Sequence, residues 1–316
     1  MSYRDFYDLN DSPFSNTPGE RYYYDSEAHN RVFRKLHYAI EEMKGLAVCT
    51  GGVGAGKTML ARKMLRSLPQ DKYETALLVI VHSGITPDWL LRRIALQLGI
   101  RQPATSELTL LSQLYRRLIQ LYENGKKAVV MIDEAQMLKG REIMEELRGL
   151  LNLEVPGHKL ITFVLFGLPE LYDNLKIDEP LLQRMGVRCD MDSMNSESTA
   201  EYIAHRLSCV DGNPKIFESD AVAMIHKISS GIPRLVNTLC DNALFEASLL
   251  KRHHIGAAII MQVAEELGLM SASAESDTRN DLSDSLEYKD PEELGDDVVR
   301  VELEEFDQLL NKMDKY

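Results

Sequence analysis

Gly51-Gly52-Val53-Gly54-Ala55-Gly56-Lys57-Thr58 has the G-x-x-x-x-G-K-[ST] spacing; it follows the apolar run Gly45 to Thr50 and precedes a segment of helical periodicity. Glycines let such a loop curl until successive backbone N–H groups point inward, and the helix starting near Lys57 adds its positive end. The product is a phosphate cradle. Lys57 is expected to reach the β- and γ-phosphates of a nucleotide and Thr58 to ligate Mg²⁺, with Gly51, Gly52, Val53, Gly54, Ala55, Gly56 and Met59 completing the cofactor-binding set.

Downstream, short apolar runs at Ala76 to His82, Ala128 to Ile132, Leu160 to Phe166 and Val187 to Met191 alternate with longer helical segments. That alternation predicts an α/β fold, a parallel sheet covered by helices. The run ending at Ile132 terminates in Asp133-Glu134-Ala135-Gln136, two adjacent carboxylates where a parallel sheet opens its ligand crevice. Asp133 is expected in the Mg²⁺ shell and Glu134 beside the attacking water, which favours hydrolysis over transfer to a small acceptor. The other reading of the pair is a helix N-terminal charge.

After Asn195 the pattern is helical only, at about 196–209, 218–229, 232–250 and 256–268, with Gly212-Asn213-Pro214 and Gly231-Ile232-Pro233 as breaks. Upstream, the first forty residues are aromatic and polar, with Tyr22-Tyr23-Tyr24 before a helical pattern around Ala28 to Met43. Four segments result: 1–43, an aromatic lead-in and first helix; 44–194, the phosphate-loop α/β domain; 195–270, a small helical domain; and 271–316, a tail.

The 316 residues are 44% hydrophobic and 27% charged, enough for a real core and incompatible with a collagenous or wholly disordered chain. Apolar stretches fall short of the roughly 18 residues a membrane helix needs, and a polar segment rather than a signal peptide follows Met1, so the expected location is the cytoplasm. Cys49, Cys189, Cys209 and Cys240 have no paired spacing and are expected as buried, reduced thiols. The net charge of −13 is concentrated in residues 271–316, which hold 15 acidic and 5 basic side chains, so the body is nearly neutral and has no bulk attraction for nucleic acid or anionic membrane. Ser271 to Asp290 has a disorder composition, whereas Val299, Leu303, Phe306, Leu310 and Met313 fall on one face of a helix.

Taken together, these residues resemble an AAA+ ATPase, and more narrowly the general secretion pathway protein A family. The resemblance is carried by Pro13-Phe14 with Thr17-Pro18, Tyr24-x-Ser26-x-x-His29, the Ile132 to Gln136 strand end, Glu201 to Leu207, and Gly231-Ile232-Pro233-Arg234-Leu235-Val236-Asn237. It covers about residues 5–268 and implies an AAA+ P-loop fold with a small all-α lid, which the composition follows with an acidic, largely disordered C-terminal tail. It implies ATP and Mg²⁺ as ligands, Arg234 as a lid arginine on the γ-phosphate, and an arginine finger for a neighbouring subunit, with Arg184 and Arg188 as alternatives. The family pattern Gly-Gln-Pro-Glu-Leu reads Gly167-Leu168-Pro169-Glu170-Leu171 here, so a polar sensor is missing at Leu168 and slow turnover is expected. The membrane helix and periplasmic part of longer family members are also not found in these residues.

Three functions are compatible with this reading. The first is an ATP-dependent homo-oligomer that drives or regulates assembly of a secretion, pilus or envelope system, peripheral at the inner membrane through an embedded partner docked on the C-terminal helix. The second is a DNA-associated helper ATPase of the transposition type, for which Arg92-Arg93, Arg116-Arg117, Lys126-Lys127 and Lys251-Arg252-His253-His254 are the basic clusters. It is disfavoured by the near-neutral body. The third is a slow nucleotide-dependent switch.

Overall fold

The computed structural model describes residues 2–17 and 20–269. The strands are β1 (Leu46–Gly51), β2 (Tyr73–Val79), β3 (Lys127–Asp133), β4 (Glu154–Val155), β5 (His158–Lys159), β6 (Ile161–Gly167) and β7 (Met185–Met191). Five form a parallel sheet in the order β2-β3-β6-β1-β7, and β4-β5 is a small antiparallel hairpin. Every residue of β1 and β6 is buried, because helices cover both faces; continuous apolar runs are what such strands require.

The edge strand β2 differs from its sequence reading. It begins at Tyr73, ahead of the apolar run, and ends at Val79 rather than His82. It pairs on one side only, with β3 in register Tyr73↔Lys127 to Val79↔Asp133, so the half-buried Glu74 and Thr75 are accommodated. The N–H of Ile80 still donates to the Asp133 carbonyl, after which the chain leaves the sheet with Val81 exposed.

Period-2 alternation sorts the strand residues onto two faces. On one, α2 (Glu27–Glu41) and α3 (Lys57–Ser67) bring Leu36, Ile40, Leu60 and Met64 against Cys49, Met131, Val164 and Phe166. On the other, α4 (Pro87–Gln97), α5 (Glu107–Glu123) and α6 (Arg141–Leu151) bring Leu91, Ile94, Leu118 and Leu147 against Val48, Val130, Phe163 and Leu165. Each such buried side chain contributes roughly 1.5–3 kcal/mol relative to exposure. The short α7 (Glu170–Leu175) and α8 (Glu179–Leu182) connect β6 to β7.

The lid comprises α9 (Ser196–Ser208), α10 (Ser219–Ser229), α11 (Pro233–Leu249) and α12 (Ala257–Glu266). Its core of Ile203, Leu207, Ile225, Leu239, Leu244 and Ile260 also takes in Tyr7, Leu9, Phe14 and Tyr22 from the N-terminal segment, which carries α1 (Tyr3–Phe6) and a 3-10 turn at Glu20–Tyr22. Polar contacts fasten that segment: Arg206, buried, donates to the carbonyls of Pro13 and Ser15, the Tyr3 hydroxyl to Asp241 at 2.6 Å, and the Tyr7 hydroxyl to the Arg252 carbonyl at 2.7 Å. The aromatic lead-in therefore packs with the lid, whereas α2 packs on the sheet.

Cys49, Cys189 and Cys240 are buried free thiols and Cys209 is half-buried. Among the described residues no helix is long and apolar enough to cross a membrane. Pro18, the acidic segment from Ser271 and the stripe Val299, Leu303, Phe306, Leu310 and Met313 lie outside the described residues.

Candidate functional site

The loop between β1 and α3 is shaped by Gly54 and Gly56, at φ +79° and +100°, left-handed values that glycine adopts without strain. A Cβ on Gly54 would stand 2.7 Å from the Cβ of Arg234, so the loop is closed against the start of α11 at a distance only glycine allows. Gly56 caps α3 without a side-chain hydrogen bond, leaving the first-turn N–H groups of the helix directed at the loop. Lys57 is buried, and its Nζ donates to the carbonyls of Gly51 and Gly52, each at 2.9 Å. Burial lowers its pKa; the charges of Glu134 and Asp133 act against that shift.

The two predicted metal-site groups meet directly: Thr58 Oγ1 donates to Asp133 Oδ2 at 2.6 Å. Asp133 is almost completely buried, and burial raises its carboxyl pKa, opposed by the hydrogen bonds from Thr58 and from the Glu134 N–H. Among the described residues there is no cluster of three or more His, Cys, Asp or Glu able to hold a metal ion. The donor set of one hydroxyl and one carboxylate is that of Mg²⁺ completed by phosphate oxygens and water. Glu134, half-buried at φ +55°, accepts from Gln136 Nε2 at 2.6 Å, and Gln136 Oε1 accepts from the Leu168 N–H at 3.0 Å.

Lys57, Thr58, Glu134 and Leu168 line a cavity of about 370 Å³ together with residues of the lid and the N-terminal segment; Asp133 and Gln136 do not line it. Arg234 faces it from α11, and its guanidinium has no hydrogen-bond or ion-pair partner among the described residues. Sequence reasoning missed most of the other wall: Asn16, Tyr23, Tyr202, Arg206 and Asn237 line the same cavity. The Tyr23 hydroxyl is, among the described residues, the one buried side-chain polar atom without a hydrogen-bond partner. His29 was visible only as part of a motif; its Nε2 lies 3.2 Å from the Ala55 carbonyl and its Nδ1 2.6 Å from Ser26 Oγ. A carbonyl only accepts, so Nε2 carries the proton and Nδ1 accepts from the serine hydroxyl. Burial holds its pKa below the usual histidine range, so a neutral ring ties α2 to the phosphate loop.

Arg184 and Arg188 lie outside the cavity and differ from each other. Arg188 stacks over the Tyr172 ring at 4.1 Å and pairs with Asp190 at 3.7 Å. Arg184, at the start of β7, makes no side-chain hydrogen bond or ion pair with the described residues. The basic clusters are drawn into local structure. Arg92 is bound to Asp88 and to the carbonyls of Ala104 and Thr105, Arg117 to Leu98 O and Glu74, Lys126 to Glu74, and the His253 ring stacks on Phe6 at 4.4 Å.

A family model described as an AAA domain matches residues 40–175. Among curated proteins, general secretion pathway protein A of Aeromonas hydrophila is 35% identical over 271 residues, covering 84% of this chain and 48% of the relative, so the chain spans about half that protein's length. Among solved structures, the Aeropyrum pernix ORC2 protein in its ADPNP-ADP complexes superposes with a TM-score of 0.58 at 17% identity, over 81% of this chain and 71% of that one. Cdc6p of Pyrobaculum aerophilum gives 0.60 at 18% identity, over 82% and 71%. At these identities the structures speak for the fold alone: a parallel sheet flanked by helices.

Proposed function

The chain belongs to the AAA+ ATPases of the general secretion pathway protein A type, and from that premise we propose that it binds and hydrolyses ATP with Mg²⁺ to drive or regulate assembly of a secretion or cell-envelope system. The observation that carries the catalytic part is the 2.6 Å hydrogen bond from Thr58 to Asp133, which brings the hydroxyl that follows the phosphate loop against a strand-end carboxylate. The nucleotide triphosphate fits the cradle because the loop presents N–H groups, Lys57 and the unpaired Arg234 to one volume.

In this reading Lys57 exchanges the Gly51 and Gly52 carbonyls for the β- and γ-phosphates, gaining an anion for its desolvated ammonium. Thr58 and Asp133 would hold Mg²⁺, which would supply charge neutralisation on the phosphate oxygens. Glu134 takes a proton from the water whose oxygen attacks the γ-phosphorus, while the bond to the β–γ bridging oxygen breaks, giving ADP and phosphate. Arg234 closes over the γ-phosphate from the lid. Arg184, left without a partner where Arg188 is committed to Tyr172 and Asp190, is the finger offered to the next subunit of a homo-oligomer. Leu168 has no side-chain hydrogen bond to give the water, so turnover is slow.

The secretion role rests on the relative's name, and we assign the stripe Val299, Leu303, Phe306, Leu310 and Met313 to docking on a membrane-embedded partner. ATP turnover by the purified protein and its Lys57→Ala variant, with and without double-stranded DNA over a range of salt, tests the assignment. DNA-indifferent activity lost in the variant supports it; stimulation by DNA that fades with salt would transfer the protein to the transposition-helper class.

A further inference from the structure

We infer that Gln136 is the positioning residue of Glu134, tying its carboxylate to the main chain of Leu168; the inference rests on the ATPase reading above. The Gln136 amide is buried, 9% exposed, and both its ends are used. Nε2 donates to Glu134 Oε2 at 2.6 Å, and Oε1 accepts from the Leu168 N–H at 3.0 Å. The 3-10 turn Ala135–Met137 that carries it is pinned separately by Asn174, whose Nδ2 donates to the carbonyls of Gln136 at 2.9 Å and Leu138 at 3.2 Å. Room for the amide exists because residue 167 is glycine: a Cβ there would stand 2.9 Å from Gln136 Oε1.

The amide cannot rotate by half a turn, since that would set its carbonyl against the Glu134 carboxylate and its NH₂ against the Leu168 N–H. One orientation is therefore fixed. It donates to the ionised form of Glu134, the form a general base needs, and makes that carboxylate follow the end of β6. The motif position three residues after the strand-end aspartate thus acquires a function beyond continuing the chain.

The test uses the full-length protein and compares single-turnover ATP hydrolysis and ATP affinity for wild type, Gln136→Met, Gln136→Glu, Gly167→Ala and Glu134→Gln. Gln136→Met keeps the volume and loses both bonds; we expect its kcat to fall about ten- to a hundredfold with ATP affinity within about twofold of wild type. Gly167→Ala, whose Cβ would stand 2.9 Å from Gln136 Oε1 and equally close to Leu171 Cδ2, should lower kcat in the same direction. Gln136→Glu, which replaces the amide donor by a second carboxylate, should lower kcat at least as far.

Wild-type kcat in Gln136→Met, or a matching loss of ATP affinity, would overturn the inference and leave the ATPase reading intact, provided Glu134→Gln abolishes turnover. Absence of turnover in wild type would overturn both.

Discussion

The main-chain N–H of Arg234 points at the carbonyl of Gly54 across 3.4 Å, so the first turn of α11 stands directly on the phosphate loop. Lid and loop are in contact at the residue expected to touch the γ-phosphate, and Gly231, at φ +72°, turns the chain into that contact. A side chain at Gly54 would press against Arg234 and Ile232 and push the two apart.

Gly231→Ala should be severely destabilising, because its Cβ would fall 1.8 Å from the Met194 carbonyl oxygen. A loss of about 3 kcal/mol or more is expected in chemical denaturation. Gly54→Ala, with its Cβ 2.7 Å from that of Arg234, should mainly weaken ATP binding. Calorimetric titration checks it; unchanged affinity would mean that the lid yields without consequence for the nucleotide.

Asp133→Asn separates stability from function. Burial raises the Asp133 pKa in the folded protein, so its contribution to stability is greatest at low pH and is lost as pH rises through the folded value; at neutral pH the ionised carboxylate is a cost. The variant should melt higher without nucleotide, yet lose Mg²⁺-dependent ATP binding and turnover. A lower melting temperature would contradict this. Lys57, with a lowered pKa, has the opposite sign relative to its charge: the folded protein without nucleotide gains stability as pH rises through the Lys57 value toward the unfolded one.

Removing the unpartnered hydroxyl in Tyr23→Phe should stabilise the protein without nucleotide by about 1–2 kcal/mol. We expect the same change to weaken ATP binding about five- to tenfold, the hydroxyl being a hydrogen bond held for the ligand in the cavity it lines. Equal affinity in the two proteins would place that hydroxyl outside the nucleotide contact.

Arg184→Ala should lower turnover with nucleotide affinity preserved, and mixing it with Lys57→Ala subunits should restore part of the activity, since each lacks what the other supplies. Arg188→Ala should instead lower the melting temperature through loss of the Tyr172 stack, by about 1 kcal/mol. Interchanged phenotypes would reverse the assignment.

The buried strands β1, β3 and β6 and the four lid helices were legible because their apolar periodicity is unbroken, and the phosphate loop and strand-end carboxylates because their spacing is local. The edge strand β2 was read displaced, since Tyr73-Glu74-Thr75 joins the sheet through backbone pairing on one side rather than through apolar content. The cavity's far wall was not legible: Tyr23, Tyr202 and Asn237 are distant in sequence and converge only because the N-terminal segment packs into the lid core. Gln136 stood inside a recognised motif, but its bond to the Leu168 N–H depends on the parallel pairing of β3 with β6.

The most direct test of the central claim is a single-turnover experiment with ATP and Mg²⁺ on wild type and Glu134→Gln at equal occupancy. The account predicts that both bind ATP with similar affinity and that wild type converts it to ADP and phosphate while the variant holds it intact. Equal conversion by the two proteins would contradict the assignment of Glu134, and no binding by either would contradict the site itself.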